Sequence, residues 1–174
     1  MNDGEAQTTP LWRFSLRFYR QTGIVDACIA LQDACGADVN LLLFLLWLAA
    51  EGRLLSAAEV KALDDKVRPW RELAIVPLRA LRRRLKTTPG QIDASAQEAF
   101  RESVKALELH SERLEQDALY ALSQLGALGA AAAAPPAAAR ANLKAYEAAT
   151  GSSFPKTPIE LILGAFGDLE ESGL

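Results

Sequence analysis

The segment from Val39 to Ala50 constrains the fold most, because it is apolar on nearly every side. Asn40 is the single polar residue among its twelve. A membrane crossing needs about 20 apolar residues, so this segment is too short to be one. A helix without a polar face has to be covered all round. The sequence therefore predicts a buried helix at the centre of the molecule.

The rest of the chain shows helical periodicity and no sustained alternation of apolar and polar residues. Half of the 174 residues are apolar, which is enough for a sizeable core. Thr9 with Pro10, Asp38, and Ser56 with Glu59 are signals for helix starts. The predicted fold is all-α, a single helical bundle of about six helices with a C-terminal amphipathic helix.

Four segments are expected along the chain. Residues 1–8 are predicted to be a disordered tail and residues 9–128 the helical bundle domain. Residues 129–139 are rich in Ala and Pro and indicate a linker or a frayed helix end. Residues 140–174 form the predicted C-terminal helical segment.

The last helix of that segment has a regular apolar stripe, too ordered for a disordered tail. We expect it to be a docking element on a mobile tether, offering its apolar face to a partner. The stripe consists of Ile159, Ile162, Leu163, Phe166 and Leu169.

The longest predicted helix, at about 93–128, has a seam with the 4-3 spacing of a coiled coil. The seam runs through Phe100, Val104, Leu107, Ser111, Leu114, Ala118, Ala121, Leu125 and Leu128. Packing inside the same bundle is the favoured interpretation. A homodimer through the Phe100–Leu128 seam is the alternative.

A basic block interrupts an acidic chain. The segment from Lys66 to Lys86 has a charge of +7, whereas the whole chain has −3, so the other residues sum to −10. Such a block predicts an anionic partner, because arginine donates paired hydrogen bonds to phosphate and carboxylate. The candidate anion-binding or partner-binding residues are Arg79, Arg82, Arg83, Arg84 and Lys86.

Internal pairing of the basic block with the long helix is the favoured interpretation of the sequence. Residues 87–117 sum to −4 and offer Glu98, Glu102, Glu108, Glu112 and Glu115 on the long helix. Nucleic acid is a further candidate partner, although the acidic balance argues against a general nucleic-acid coat protein. A membrane surface is not expected, because the cations come without a lipid anchor.

No catalytic or metal-binding signature is present. His110 is the only histidine, whereas a zinc site needs several His, Cys or carboxylate ligands. Cys28 and Cys35 are seven residues apart, about 10 Å along a helix, too far for a disulfide, which needs Cα atoms within about 7 Å. The sequence predicts free thiols in a reducing cytoplasm, with no cofactor, no metal and no enzymatic activity.

Four stretches carry a resemblance to a known group. They are residues 12–15 (WRFS), 36–44 (GADVNLLLF) with Trp47 after them, 76–79 (VPLR) and 82–86 (RRRLK). Together they resemble an uncharacterised proteobacterial family of small all-helical proteins, a conserved hypothetical group with a domain of unknown function. The resemblance covers roughly residues 10–125. It implies a bacterial, cytoplasmic, all-α protein and assigns no functional residue.

We expect a non-enzymatic protein-interaction or adaptor protein with an unknown protein partner. Its contact surfaces would be the basic helix and the C-terminal amphipathic helix. The alternative is a nucleic-acid-associated regulator that binds phosphate through the Arg79–Lys86 helix. An enzyme would require a buried pocket where Asp26, Asp33 or Arg68 converge.

Overall fold

Helices dominate the computed structural model, which describes residues 8–87, 92–126, 128–132 and 134–171. The elements are α1 (Pro10–Tyr19), α2 (Ile24–Cys35), α3 (Val39–Ala50), β1 (Arg53–Leu54), α4 (Ala57–Trp70), α5 (Val76–Arg84), α6 (Ala94–Gln124), β2 (Ala130–Ala131), α7 (Pro135–Thr150) and α8 (Lys156–Glu171). A five-residue π-helical turn, Arg71–Ile75, joins α4 to α5 without a break, and β1 pairs with β2 antiparallel.

The all-α prediction is confirmed, with α4, the π turn and α5 counted as one helix of the bundle and α8 as the C-terminal helix. None of the described helices combines the length and the apolar character that a membrane crossing requires. The predicted tail falls almost wholly on residues 1–7, which lie outside the described residues.

The predicted helix starts are confirmed by their caps. The Thr9 side chain accepts a hydrogen bond from the backbone N–H of Trp12, and Pro10 occupies the first helical position. Asp38 caps α3 by accepting from the N–H of Asn40 at 2.9 Å. These contacts satisfy amide donors that the first helical turn leaves without a partner. Local sequence therefore decides where these helices begin.

Helix α3 lies at the centre, as its composition predicts. Every residue from Asn40 to Ala49 is buried. Helix α7 packs most extensively against it, and α6 and α1 cover other sides. The Trp47 ring lies between the rings of Phe44 and Tyr120, with centroids 5.8 and 5.6 Å away. The apolar run is therefore enclosed by other helices.

The Ala/Pro segment, predicted to be a linker or a frayed helix end, contains regular structure. Ala130 and Ala131 form β2, and α7 begins at Pro135, so that Ala138 and Ala139 are buried against the core. Gly129 has φ = +67°, and a Cβ there would lie 2.4 Å from the Leu54 carbonyl oxygen. The alanines lack the bulk of typical core residues, and for that reason they resemble a linker in sequence. Their small side chains let α7 approach α3 closely.

The predicted docking helix is covered by the bundle itself. Ile162 and Phe166 are fully buried and Leu169 is nearly so, while Ile159 and Leu163 are half-buried. Helix α8 packs on α2 and α7, and the Phe166 ring lies 6.5 Å from that of Phe14. The sequence shows that this helix has an apolar face but not what the face contacts. The apolar stripe of α8 is therefore used within the chain.

We expect Phe166→Ala to destabilise the whole domain by about 3–5 kcal/mol, because it removes a buried ring and leaves a cavity. The free energy of unfolding is measured by urea titration. Leu161→Ala is the matched control on the same helix, since Leu161 is 39% exposed. Equal stability of the two variants would show that α8 is not part of the core.

Candidate functional site

The basic block lies along α5 and faces the long helix α6. Arg79 donates from Nε to Glu108 Oε1 at 3.0 Å and from Nη2 to Glu112 Oε1 at 2.6 Å. Arg82 donates to both carboxylate oxygens of Glu108. Arg79 and Arg82 therefore pair with α6, as the ion-pairing interpretation expects.

Burial and the hydrogen bonds from α5 have opposite effects on the pKa values of Glu108 and Glu112. Burial alone would raise the pKa of Glu108, but hydrogen bonds from Arg82 and Arg79 outweigh it and hold the pKa below its usual value. Burial raises the pKa of Glu112, with partial compensation from Arg79. Of these two glutamates, Glu108 is therefore the one whose negative charge is better stabilised by the arginines of α5.

The other three predicted binding residues are exposed. Arg83 donates to Asp33 Oδ1 at 3.0 and 3.1 Å, a pair in which both side chains are about half exposed. Exposed ion pairs of this kind contribute little to stability. Arg84 and Lys86 lie at the end of the helix with exposed side chains. All three cationic groups therefore lie at the surface of the protein.

Beside α5 lies a groove of about 640 Å³, bounded by α1, α2, α5 and α6 and floored by α3; we call it the basic groove. This volume is typical of sites that bind a ligand or a few side chains of a partner. Apolar residues of α1, α2 and α3 line one side of it, among them Trp12, Leu16, Val25, Ile29 and Leu43, and Leu109 adds an apolar residue from α6. Basic residues line the other side, namely Arg79, Arg82, Arg83, Lys86 and Lys105.

The exposure and charge of the basic groove distinguish it from ordinary surface. Leu16, Val25, Ile29 and Leu109 are 44–53% exposed, although all are large and apolar. Five Lys/Arg and two Glu side chains line the groove, which leaves an excess of three positive charges in a chain of net −3. Grouped exposed apolar residues with a charged rim mark interaction sites.

The groove does not contain a reactive thiol. Cys28 lines it, and burial raises the pKa of Cys28 to about 11. The protonated thiol that results at neutral pH is a poor nucleophile. Cys28 and Cys35 are both free, as predicted.

A second arrangement, which we call the polar cluster, lies under the groove and consists of Asp38, Asn40, Asp64, Arg71 and Glu115. Arg71 pairs with Asp38 and, at 2.8 Å, with Asp64. Asn40 Nδ2 donates to Glu115 Oε2 at 2.8 Å. Asp38 and Glu115 are 5% and 1% exposed, so the cluster is closed to solvent at both residues.

The polar cluster extends towards α1 through a chain of amides. Gln116 Nε2 donates to Asn40 Oδ1 at 3.0 Å, and Ser15 Oγ donates to Gln116 Oε1 at 2.8 Å. Sequence reasoning missed this cluster. A polar residue in an apolar helix needs a buried polar partner, so Asn40 was the available signal.

In the polar cluster the carboxyl groups of Asp38, Asp64 and Glu115 surround the single guanidinium of Arg71. Because one positive charge faces three acidic groups, a proton on one of them is favoured. Burial, followed by the charge of Asp38, raises the pKa of Glu115 to about 9. Arg71 Nη1 lies 3.9 Å from Glu115 Oε1 and opposes this shift, but the carboxylates of Asp38 and Asp64 occupy the guanidinium at shorter range. Glu115 is therefore protonated at neutral pH.

The residues named for an enzyme do not converge. Asp33 pairs with Arg83 at the surface, Arg68 pairs with Asp64 at 2.9 Å, and Asp26 is exposed on α2. Within residues 8–87, 92–126, 128–132 and 134–171, no group of three or more His, Cys, Asp or Glu side chains is arranged to hold a metal ion.

The predicted seam on α6 divides between two faces. Val104 and Ser111 are buried, whereas Phe100, Leu107, Leu114 and Leu125 are exposed. The buried face of α6 is mostly polar, because it meets the arginines of α5 and the polar cluster. The inward seam residues fit packing within the bundle, and the homodimer through the outward residues stays a prediction.

A protein-family model matches residues 10–119, and its description is "Protein of unknown function (DUF2390)". The chain belongs to this family, so the resemblance to an uncharacterised family is confirmed. No curated protein and no solved structure matches the chain. The matched region contains the residues of the polar cluster and of the basic groove, whereas α7 and α8 follow it.

We expect stability to fall as pH rises between the unfolded and folded pKa values of Glu115. Its pKa is raised in the folded state, so the stability that its proton contributes is present in full below the unfolded pKa near 4.5 and is lost as pH approaches 9. Glu115→Gln keeps the neutral shape and should flatten the dependence between these limits, whose slope per proton is at most about 1.4 kcal/mol per pH unit. Urea titrations across this range measure the slope. Parallel profiles for both proteins would show that Glu115 binds no proton on folding.

Proposed function

We propose that this member of the DUF2390 family is a non-enzymatic interaction protein, an adaptor that binds a partner protein in the basic groove. The observation that carries the proposal is the meeting of half-exposed apolar residues and accessible cations in one groove. The sequence offered two contact surfaces, the basic helix and the C-terminal helix. Because α8 is covered by the core, the basic helix and the groove beside it are the surface that supports this function.

The composition of the groove favours protein over nucleic acid. Val25, Ile29 and Leu109 would gain from contact with apolar side chains, which a phosphate backbone does not provide. Glu108 and Glu112 already neutralise Arg79 and Arg82. Arg83 and Lys86, which line the groove with exposed side chains, can pair with acidic groups at its rim.

A binding role also agrees with the chemistry around the groove. The Cys28 thiol is protonated, and the polar cluster is closed to solvent at Asp38 and Glu115. Both observations support binding without covalent or acid–base chemistry. Two free thiols agree with the cytoplasmic setting that we include in the proposal.

We expect a photo-crosslinking amino acid at position 86 to capture a protein partner in the organism of origin. Lys86 lines the groove, whereas the exposed Lys144 on α7 lies outside its lining and serves as the control position. The crosslinked band should disappear when Val25→Asp places a charge on the apolar side. Crosslinking that is absent at position 86, or equal at both positions, would disprove the proposal.

Nucleic acid is the second hypothesis, and we expect it to fail a direct test. Labelled RNA and DNA are titrated at about 50 mM salt, where phosphate binding is strong. We expect no complex, because residues outside the basic block sum to −10 and α6 neutralises Arg79 and Arg82. A complex that Arg83→Gln, Arg84→Gln and Lys86→Gln weaken, with up to about 0.9 log units of salt slope lost per contact, would favour nucleic acid.

A further inference from the structure

We infer that the partner element is an amphipathic α-helix with an acidic flank, lying lengthwise in the basic groove. The inference rests on the proposed function and adds to it the chemistry and the secondary structure of what is bound. It is carried by the spacing of the groove residues, by their charge and by the helical nature of every wall.

The apolar side of the groove has the surface pattern that a packing helix requires. Val25 and Ile29 are one turn apart on α2, and Trp12 and Leu16 are one turn apart on α1. Residues four apart form the ridges that interdigitate when helices pack. Leu109 adds an apolar contact from α6, on the far side of the groove. An incoming helix would place its apolar stripe against these ridges.

The basic side repeats at the same interval. Arg79 and Arg82 or Arg83 follow each other on α5, and Lys86 lies in the turn just after it, over a length of about 10 Å. Carboxylates three residues apart on one flank of a bound helix match the spacing of the exposed Arg83 and Lys86. Charge complementarity with a groove carrying three excess positive charges selects Asp and Glu for that flank.

The rim of the groove can admit such a flank. Arg83 is held by Asp33 in a pair that is about half exposed on both sides, and Lys105 is held by Glu102 at 3.1 Å in a pair exposed to a similar degree. Exposed pairs of this kind are weak. A carboxylate of the partner can therefore replace Asp33 or Glu102 with little loss.

The walls favour a helix over an extended peptide. Helices α1, α2, α5 and α6 bond their backbone groups internally, so the groove offers no strand edge to an extended chain. An extended segment against the apolar side would leave its own N–H and C=O groups without partners. A helix satisfies these groups itself and presents only side chains to the groove.

The test is a display library of helical peptides about 20 residues long, a length at which isolated helices become stable enough to select. Its stripe positions vary between Leu and Ser, and its flank positions vary among Glu, Ser and Lys. The full-length protein is the target, and the Val25→Asp protein is used for counter-selection. We expect enrichment of Leu at i, i+4 and i+7 together with Glu along one flank.

Matched variants then test the selected peptides. Val25→Asp should lower affinity at least about tenfold, as loss of a central contact does. Val76→Asp should leave affinity unchanged, because Val76 is 48% exposed, close to 45% for Val25, but lies outside the groove lining. Lys86→Glu should weaken Glu-flanked peptides and strengthen Lys-flanked ones, and Lys144→Glu should change neither.

Several results would overturn the inference. They are enrichment of Lys on the flank, no enrichment at all, equal binding by the Val25→Asp and wild-type proteins, and unchanged affinity when a proline breaks the peptide helix. Binding of decyl phosphate in the groove without any peptide enrichment would also overturn it, in favour of a small amphiphile. If crosslinking at position 86 succeeds while the peptides fail, the helix inference alone is wrong. If the position 86 crosslinking fails as well, the proposed function fails.

Discussion

The need to cover α3 on every side organises this protein. Nearly all of its residues are apolar and buried, and no side of the helix is left to solvent. Helices α1, α6 and α7 enclose it, and α8 completes the shell by packing on α2 and α7. The basic groove reaches α3, with Val39 and Leu43 among its lining residues. The central helix of the core therefore also forms the floor of the candidate binding site.

The one polar residue of α3 has consequences that reach across the bundle. Asn40 needs buried partners and finds them in Glu115 and Gln116 of α6. Together with the arginines of α5, these contacts turn a polar face of α6 inward and leave Phe100 and Leu107 exposed. Buried polar groups of this kind add little net stability, but breaking one partner is costly. They decide which way α6 faces more than how stable the fold is.

The basic residues of this region fall into two groups, those that pair with α6 and those that are exposed beside the groove. Arg79 and Arg82 hold α5 against α6 through Glu108, which fixes the position of the basic wall. Arg83 and Lys86 project from the same helix, close to the apolar residues of α1 and α2. The two interpretations of the basic block are thus compatible. The inner arginines position the helix, and the outer cations are available to a partner.

The sequence by itself determined the features that depend on neighbouring residues. The caps at Thr9 and Asp38, the helical periodicity and the central position of α3 follow from contacts within a few residues and from the lack of a polar face. The sequence also identified the basic block, with four arginines on α5 and Lys86 just after it. Only the tertiary structure decided what each surface contacts. The pairing of Arg82 with Glu108 spans 26 residues and that of Asn40 with Glu115 spans 75, and Phe166 reaches the core from the last helix. An amphipathic pattern specifies which face of a helix is apolar, but the partner of that face depends on how distant segments pack, and local spacing carries no record of that packing.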